Sequence, residues 1–371
     1  MRRLAAFTFV LALAVGGCSN GSPVTADPTA SVAPESSETA ATEGPDAGET
    51  ADKVEDLLDA YRGTYPGAVV LVRVGDETRV VSGGHAVVGE PGPVTARHRF
   101  PVASVTKTMV ATAVLQLVQE GKLSLSDSVE SWLPGMVPRG DRISVEQLLA
   151  HRSGLYNYTD SSSSNWTPGW DPREILRLAT SEAAVHAPDT QSSYSNTNYI
   201  VLGLVVERVT GKRLEEVLQE RIFAPSGMSD TSLAKARVTD PPRVHGYAGR
   251  RDVTHDDLSS AWAAGGVVSS ARDLDAFLSG LTSGKLLDTE AFEDMARPRG
   301  ELRNRGNLEY GLGLGRRHVR CATVVGHGGA LPGFLTEAWS SEDGERAVVA
   351  MVSDEGSYTV LDGLLTTALC G

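Results

Sequence analysis

A chain of 371 residues, 41% of them hydrophobic, can bury a sizeable core as one large or two interleaved domains. Its net charge of −13 excludes nucleic acid as a partner, because phosphate binding needs a basic footprint. Its eight histidines and three cysteines form no His-x-x-x-His or Cys-x-x-Cys spacing, so neither a metal nor another cofactor is expected.

Residues 1–17 read as a removable leader. Arg2-Arg3 supply the charged start and Leu4 to Val15 an apolar run too short to span a bilayer. Val15-Gly16-Gly17-Cys18 resembles a bacterial lipobox, in which Cys18 becomes the lipidated first residue. The alternative is an ordinary export signal that happens to end in cysteine, and either reading exports the chain. Residues 18–52 are rich in Ser, Thr, Ala, Gly and Pro, with seven acids and no base. That composition predicts a disordered acidic tether. As a coil it would reach about 30–35 Å, enough to hold a domain off a membrane. The expected location is the outer face of the cell membrane, lipid-anchored, as a monomer.

The folded part is expected over 53–371. Val54 to Tyr61 has helical periodicity, and Ala68 to Val74 and Thr78 to Ser82 read as a hairpin turned at Gly75-Asp76-Glu77. A long apolar helix is predicted from Val105 to Glu120. Ile143 to His151 reads as a helix capped by Ser144, with Gln147 three residues on. Helices are also expected over Pro172 to Thr180, Tyr199 to Thr210, Arg213 to Phe223, Arg272 to Ser283 and Thr289 to Ala296. Tyr310 to Leu314, Thr323 to Gly326, Leu335 to Ser340 and Arg346 to Ser353 alternate as strands, the last two joined at Asp343-Gly344. Ser357 to Leu369 reads as a closing helix. Strands near both ends with helices between them predict an α/β (α+β) domain: an antiparallel sheet from 53–103 and 250–371, with a mainly helical part, 104–249, inserted. In an exported protein Cys321 and Cys370 either bridge or stay as two free thiols. A bridge would close a loop of roughly 50 residues and contribute about 4 kcal/mol in the chain-entropy model.

The chemistry centres on Ser104-Val105-Thr106-Lys107. A serine at a helix start lies near first-turn N–H groups, and a residue three positions on shares its helix face. Lys107 can therefore reach the Ser104 hydroxyl, and serves as its base if burial lowers the amine's pKa. Alone the four residues are weak evidence, and an N-cap serine with a solvated lysine is the better reading of them. Tyr194-Ser195-Asn196, ahead of a helix, adds a phenol that could move a proton if Lys107 lowered its pKa, and a carboxamide for a substrate carbonyl. His327-Gly328-Gly329-Ala330, after a strand, offers glycines that let a ligand approach the backbone.

In this order, Ser104-x-x-Lys107, Tyr194-x-Asn196 and His327-x-Gly329 resemble the three motifs of the penicillin-recognising serine hydrolases. The likeness is to the class C β-lactamase and DD-peptidase branch, nearest the secreted D-alanyl-D-alanine carboxypeptidases of Streptomyces. It covers about 53–371 and includes His151-Arg-Ser-Gly-Leu155, Trp262 with Gly266, Tyr310 to Leu314, and both Cys321 and Cys370. It implies a β-lactamase/transpeptidase-like fold and an acyl-enzyme on Ser104. Lys107 and Tyr194 would move the proton, and Asn196 would hold the substrate amide. The backbone N–H groups of Ser104 and Ala330 would form an oxyanion hole, Trp262 would line the cleft, and the two cysteines would form a disulfide. The substrate it implies is a small peptide or ester, with peptidoglycan stem peptides as the natural candidates.

Two departures weaken that implication. Gly328 and Ala330 lack the hydroxyls those carboxypeptidases carry, and Gly315 stands where they have a carboxylate-binding arginine. Arg316 would replace that arginine only through a strand bulge. His327 is expected to be partly charged at neutral pH. The expected activity is carboxypeptidase-like on D-alanyl wall peptides. An esterase, amidase or β-lactamase on the same fold is the alternative, and a non-catalytic lipoprotein binding wall fragments or β-lactams is the second.

Overall fold

The computed structural model describes residues 45–61, 63–160, 169–234, 242–354 and 356–371. The leader, Cys18 and the tether as far as residue 44 lie outside the described residues. The tether's far end does not behave as expected. Helix α1 runs Ala47–Ala60, and the Asp46 side chain accepts the Glu49 N–H at 2.8 Å to cap it. Ala47, Thr50 and Ala51 are buried. The composition that read as tether here supplies small side chains for close packing.

Eight strands form one antiparallel sheet: β1 (Gly67–Val74), β2 (Glu77–Gly84), β3 (Gly300–Leu302), β4 (Leu308–Tyr310), β5 (Gly315–His318), β6 (Thr323–Leu331), β7 (Phe334–Ser341) and β8 (Arg346–Val352). Their order is β2-β1-β8-β7-β6-β5-β4-β3. The first hairpin thus joins the last strand, with Val70 opposite Ala350. The sheet is buried on both faces, so β1 is a near-continuous apolar run. Val69 and Leu71 face a helical layer, where they meet Val349 and Met351. Ala68, Val70 and Val72 face the other way, under Val54 and Leu58 of α1 and Leu361, Leu364 and Leu365 of the terminal helix, Tyr358–Cys370. Cys321, beside the β5–β6 turn, is disulfide-bonded to Cys370 at the end of that helix, with Cα atoms 5.5 Å apart.

Helix α2 (Val105–Gln119) lies in the middle of the helical layer, buried on all sides from Val105 to Leu115. Each large aliphatic side chain buried there contributes roughly 1.5–3 kcal/mol. Its buried hydroxyls are satisfied: Thr106 accepts the Val267 N–H at 3.0 Å, and Thr108 donates to the Gly313 carbonyl at 2.9 Å. Helix α3 (Asn196–Thr210) packs beside it and ends at Gly211, whose φ of 68° is left-handed. Residues 44–371 form one compact unit, so the helical part is continuous with the sheet.

Two strand expectations change. Gly311 to Leu314 is the tight turn between β4 and β5, closed by the Gly311 N–H on the Leu314 carbonyl at 2.9 Å. The alternation there reflects burial of Leu312 and Leu314. Strand β6 runs on through His327-Gly-Gly-Ala330 to Leu331, so these residues lie within the strand and not after it.

Candidate active site

Ser104 adopts helical dihedrals at the start of α2, yet its hydroxyl caps nothing. The hydroxyl is engaged elsewhere. Its Oγ lies 2.9 Å from Lys107 Nζ and 2.7 Å from Tyr194 Oη. Ala103, just before it, has a φ of 48°. A non-glycine residue held there stores about 1–3 kcal/mol of strain, a feature that clusters at active sites. Strand β6 presses against this turn. A Cβ on Gly329 would stand 2.3 Å from the Val102 carbonyl oxygen and 3.2 Å from the Ser104 nitrogen, so only glycine allows the approach. Strand β5 pairs with β6 only as far as Gly326. Beyond that point the edge of β6 has no strand partner on that side among the described residues, and alternate N–H groups of a ladder turn to such an edge. Ala330 and Ser104 line the same cavity, about 660 Å³ in volume.

Lys107 is fully buried and donates to the Ala264 carbonyl at 2.5 Å as well as to Ser104. No carboxylate pairs with it among the described residues. Burial, and then the charge of Arg305, hold its pKa well below the usual 10.5. The amine is therefore poised to be neutral. Tyr194 is also buried, and desolvation pushes its phenol up to about 12 against the opposing effects of the Ser104 hydrogen bond and Arg305. The expected lowering by Lys107 does not occur: an amine made neutral by burial offers no charge to stabilise a phenolate.

A histidine behind Tyr194 shapes the site. The His151 ring centroid is 4.3 Å from that of Tyr194. Its Nδ1 accepts the Ser195 N–H at 3.2 Å and faces Asn198 Nδ2 at 3.1 Å, which leaves the proton on Nε2. Burial holds its pKa well below the usual 6.5 and keeps His151 neutral. In the sequence it marked a helix end and opened the His151-Arg-Ser-Gly-Leu155 segment of the resemblance, with no role at the site assigned to it.

The remaining expected residues divide. Asn196, the first residue of α3, lines the cavity and donates from Nδ2 to Thr159 Oγ1 at 3.1 Å. His327 is buried and brought down, chiefly by desolvation, to about 3, so it is neutral and not partly charged. Tyr310 Oη lies 3.0 Å from its Nε2, and its Nδ1 lies 2.5 Å from the Gly328 carbonyl. Trp262 does not line the cavity. Its ring packs on α3, where a Cβ on Gly203 would stand 2.7 Å from the indole; the wall is formed by its neighbours Ala261, Ala264 and Gly265. Arg316 is also elsewhere. The β5–β6 register runs without a bulge, Arg316 opposite Val325, and its guanidinium pairs with Glu342 at 3.2 Å in a separate cleft. A side chain at Gly315 would crowd the Trp339 ring, 3.1 Å from the position of its Cβ.

An arginine that reaches Tyr194 is Arg305, in the turn between β3 and β4. Its guanidinium carbon lies 4.4 Å from the Tyr194 ring centroid, and it lines the cavity. Nothing in its local sequence, Arg303-Asn-Arg-Gly306, marks it, since the contact is made across more than a hundred residues.

A family model described as Beta-lactamase matches residues 50–367. A solved D-stereospecific amidohydrolase from Streptomyces sp. superposes with a TM-score of 0.76 at 32% identity, covering 86% of this chain and 98% of that one. A penicillin-binding protein of Bacillus subtilis (strain 168) is 26% identical over 326 residues, 82% of this chain and 71% of its own. A D-aminopeptidase of Brucella anthropi is 28% identical over 322 residues, 82% of this chain and 58% of the relative, so the chain spans little more than half of that enzyme.

Proposed function

Since the chain belongs to the beta-lactamase family of penicillin-recognising serine hydrolases, we propose that it hydrolyses amide bonds next to a D-amino acid through an acyl-enzyme on Ser104. The observation that carries this reading is the placement of Lys107 Nζ and Tyr194 Oη within 2.9 Å of Ser104 Oγ. In the first step Ser104 Oγ attacks the carbonyl carbon while its proton passes to the neutral Lys107 amine. The carbonyl electron pair moves onto oxygen, where the N–H groups of Ser104 and Ala330 receive it. Collapse restores the carbonyl and breaks the C–N bond. Tyr194 gives its proton to the departing nitrogen and regains one from Lys107. Water then attacks the ester, again losing its proton to Lys107, and Ser104 recovers its hydrogen as the acid leaves. Asn196, at the cavity rim, is suited to hold the substrate amide.

Preference for the D configuration is supported by the amidohydrolase and the D-aminopeptidase, whose names state it. The substrate class we favour is a D-alanyl peptide of the cell wall, met outside the membrane. The leader and Cys18 support that location.

The test is a substrate panel: D- and L-amino acid amides, an N-acyl-D-alanyl-D-alanine peptide, a β-lactam and an aryl ester. D-substrates should be cleaved faster than their L-isomers, and a slow acyl donor should add its acyl mass to Ser104. Ser104→Ala should lower turnover by about 10⁴-fold or more with the fold intact. Activity retained in that variant would remove the mechanism, and a preference for L-substrates would remove the stereochemical part.

A further inference from the structure

Tyr194 lies in an irregular stretch, residues 191–195, that belongs to no helix or strand. Its phenol nevertheless stands 2.7 Å from Ser104 Oγ. The peptide N–H groups on either side of it both donate to one residue. Ser193 donates to the His151 carbonyl at 2.9 Å, and Ser195 to His151 Nδ1 at 3.2 Å. The imidazole lies against the Tyr194 ring, with centroids 4.3 Å apart. The imidazole is held in turn. Asn198 Nδ2 faces the same Nδ1 at 3.1 Å, and Asn198 Oδ1 accepts the hydroxyl of Ser153, two residues beyond His151, at 2.5 Å. This clamp carries two costs. His151 sits at a left-handed φ of 56°, and its buried Nε2 has no hydrogen-bond partner among the described residues. Strained backbone and unsatisfied buried groups persist only where the surroundings impose them, and both call for a functional reason. His151 does not line the cavity, and among the described residues none of its hydrogen bonds goes to Ser104 or Lys107. Its effect on the reaction therefore runs through Tyr194.

We propose that His151 is a positioning residue for the departure of the leaving group: it holds the Tyr194 phenol where its proton can reach the departing nitrogen. This rests on the acyl-enzyme reading of Ser104, with Tyr194 as the acid, and deepens it. An amine must gain a proton as its C–N bond breaks, whereas a nitrophenol leaves as the anion. His151 should therefore matter for an amide and matter little for an aryl ester.

The test uses the full-length protein and two substrates with the same D-acyl half, an amide and a p-nitrophenyl ester. The measure is kcat/KM, which ends at release of the first product, so deacylation does not enter. His151→Phe keeps a ring beside Tyr194 and removes the acceptor. It should lower kcat/KM for the amide by about 10–100-fold more than for the ester. His151→Asn tolerates the left-handed backbone and returns an acceptor, so it should restore most of the amide-to-ester ratio. Tyr194→Phe should show the same selective loss, and adding His151→Phe to it should bring no further selective loss. Equal losses on both substrates in His151→Phe, or a second selective loss in the double variant, overturn the proposal. Where His151→Phe does not fold, His151→Gly, unstrained at that φ, carries the same expectation and the same refutation. If Tyr194→Phe is selective and the His151 variants are not, the positioning inference alone fails. If Tyr194→Phe loses both substrates alike, Tyr194 is not the acid, and the inference falls with that part of the reading. If neither substrate acylates Ser104 in wild type, both fail.

Discussion

At the scale of residues, one force sets the protonation of the site. Desolvation disfavours charge, so it pushes an ammonium's pKa down and a phenol's up. Lys107 and Tyr194 move in these opposite directions and are both neutral in the interval between. The neutral amine is then the better base. The kcat/KM profile should rise to a plateau as Lys107 loses its proton, at a pH well below 10.5. Tyr194, at about 12, should add no alkaline limb below roughly pH 11. A rise centred near 10.5 would instead mean that burial does not lower the Lys107 pKa. Lys107→Met should lose about 10²–10⁴-fold in rate. The same burial fixes a stability signature. Between its lowered folded pKa and the unfolded value of 10.5, native Lys107 binds fewer protons than the unfolded chain. Stability therefore rises with pH across that window and falls as pH drops through it. Urea unfolding at two pH values should show wild type gaining on Lys107→Met as pH is raised toward 10.5. A gap that does not change would mean that Lys107 is charged in the fold.

At the scale of elements, local chemistry was readable where it is self-contained. The Ser144–Gln147 capping box forms as its spacing predicts, and the β1–β2 and β7–β8 turns fall at Gly75 and Gly344. Reading failed where a tertiary contact sets the backbone. Gly311 to Leu314 alternates like a strand, but Gly313 has a φ of 83° and a Cβ there would stand 2.3 Å from Ala111 of α2. The length of β6 was missed because glycines usually weaken strands, whereas here Gly329 permits contact with the nucleophile turn. That contact can be tested against its neighbour. Gly329→Ala would drive a Cβ against backbone, and should cost about 1–3 kcal/mol in stability. It should also lower kcat by roughly 10²-fold as Ser104 and Ala330 move apart. Gly328→Ala meets only the movable Glu337 carboxylate, at 2.7 Å, and should cost less on both counts. Equal effects in chemical denaturation and in kcat would show that β6 does not position the serine.

At the scale of the whole molecule, the sheet was legible because alternation at both chain ends demanded partners that only the other end could supply. The reacting trio was legible through motif order. Trp262, Arg316 and Arg305 were not, because a side chain's direction depends on packing between segments far apart in sequence. The disulfide is the case where such a long-range tie has a calculable consequence. It joins Cys321, at the β5–β6 turn, to Cys370, 49 residues on, at the end of the helix that covers the outer face of the sheet. Closing that loop restricts the unfolded chain more than the folded one, and is worth about 4 kcal/mol in the chain-entropy model. Neither cysteine lines the catalytic cavity. Cys321→Ser with Cys370→Ala should therefore lower the unfolding midpoint by about 5–10 °C in calorimetry. Turnover below the transition should stay within about 2-fold of wild type, as for a change remote from the site. Wild type unfolded in the presence of a strong reductant should match the double variant. A variant as stable as the oxidised protein would mean that the terminal helix is held by its apolar face on the sheet, through Leu361, Leu364 and Leu365, with the covalent tie adding nothing.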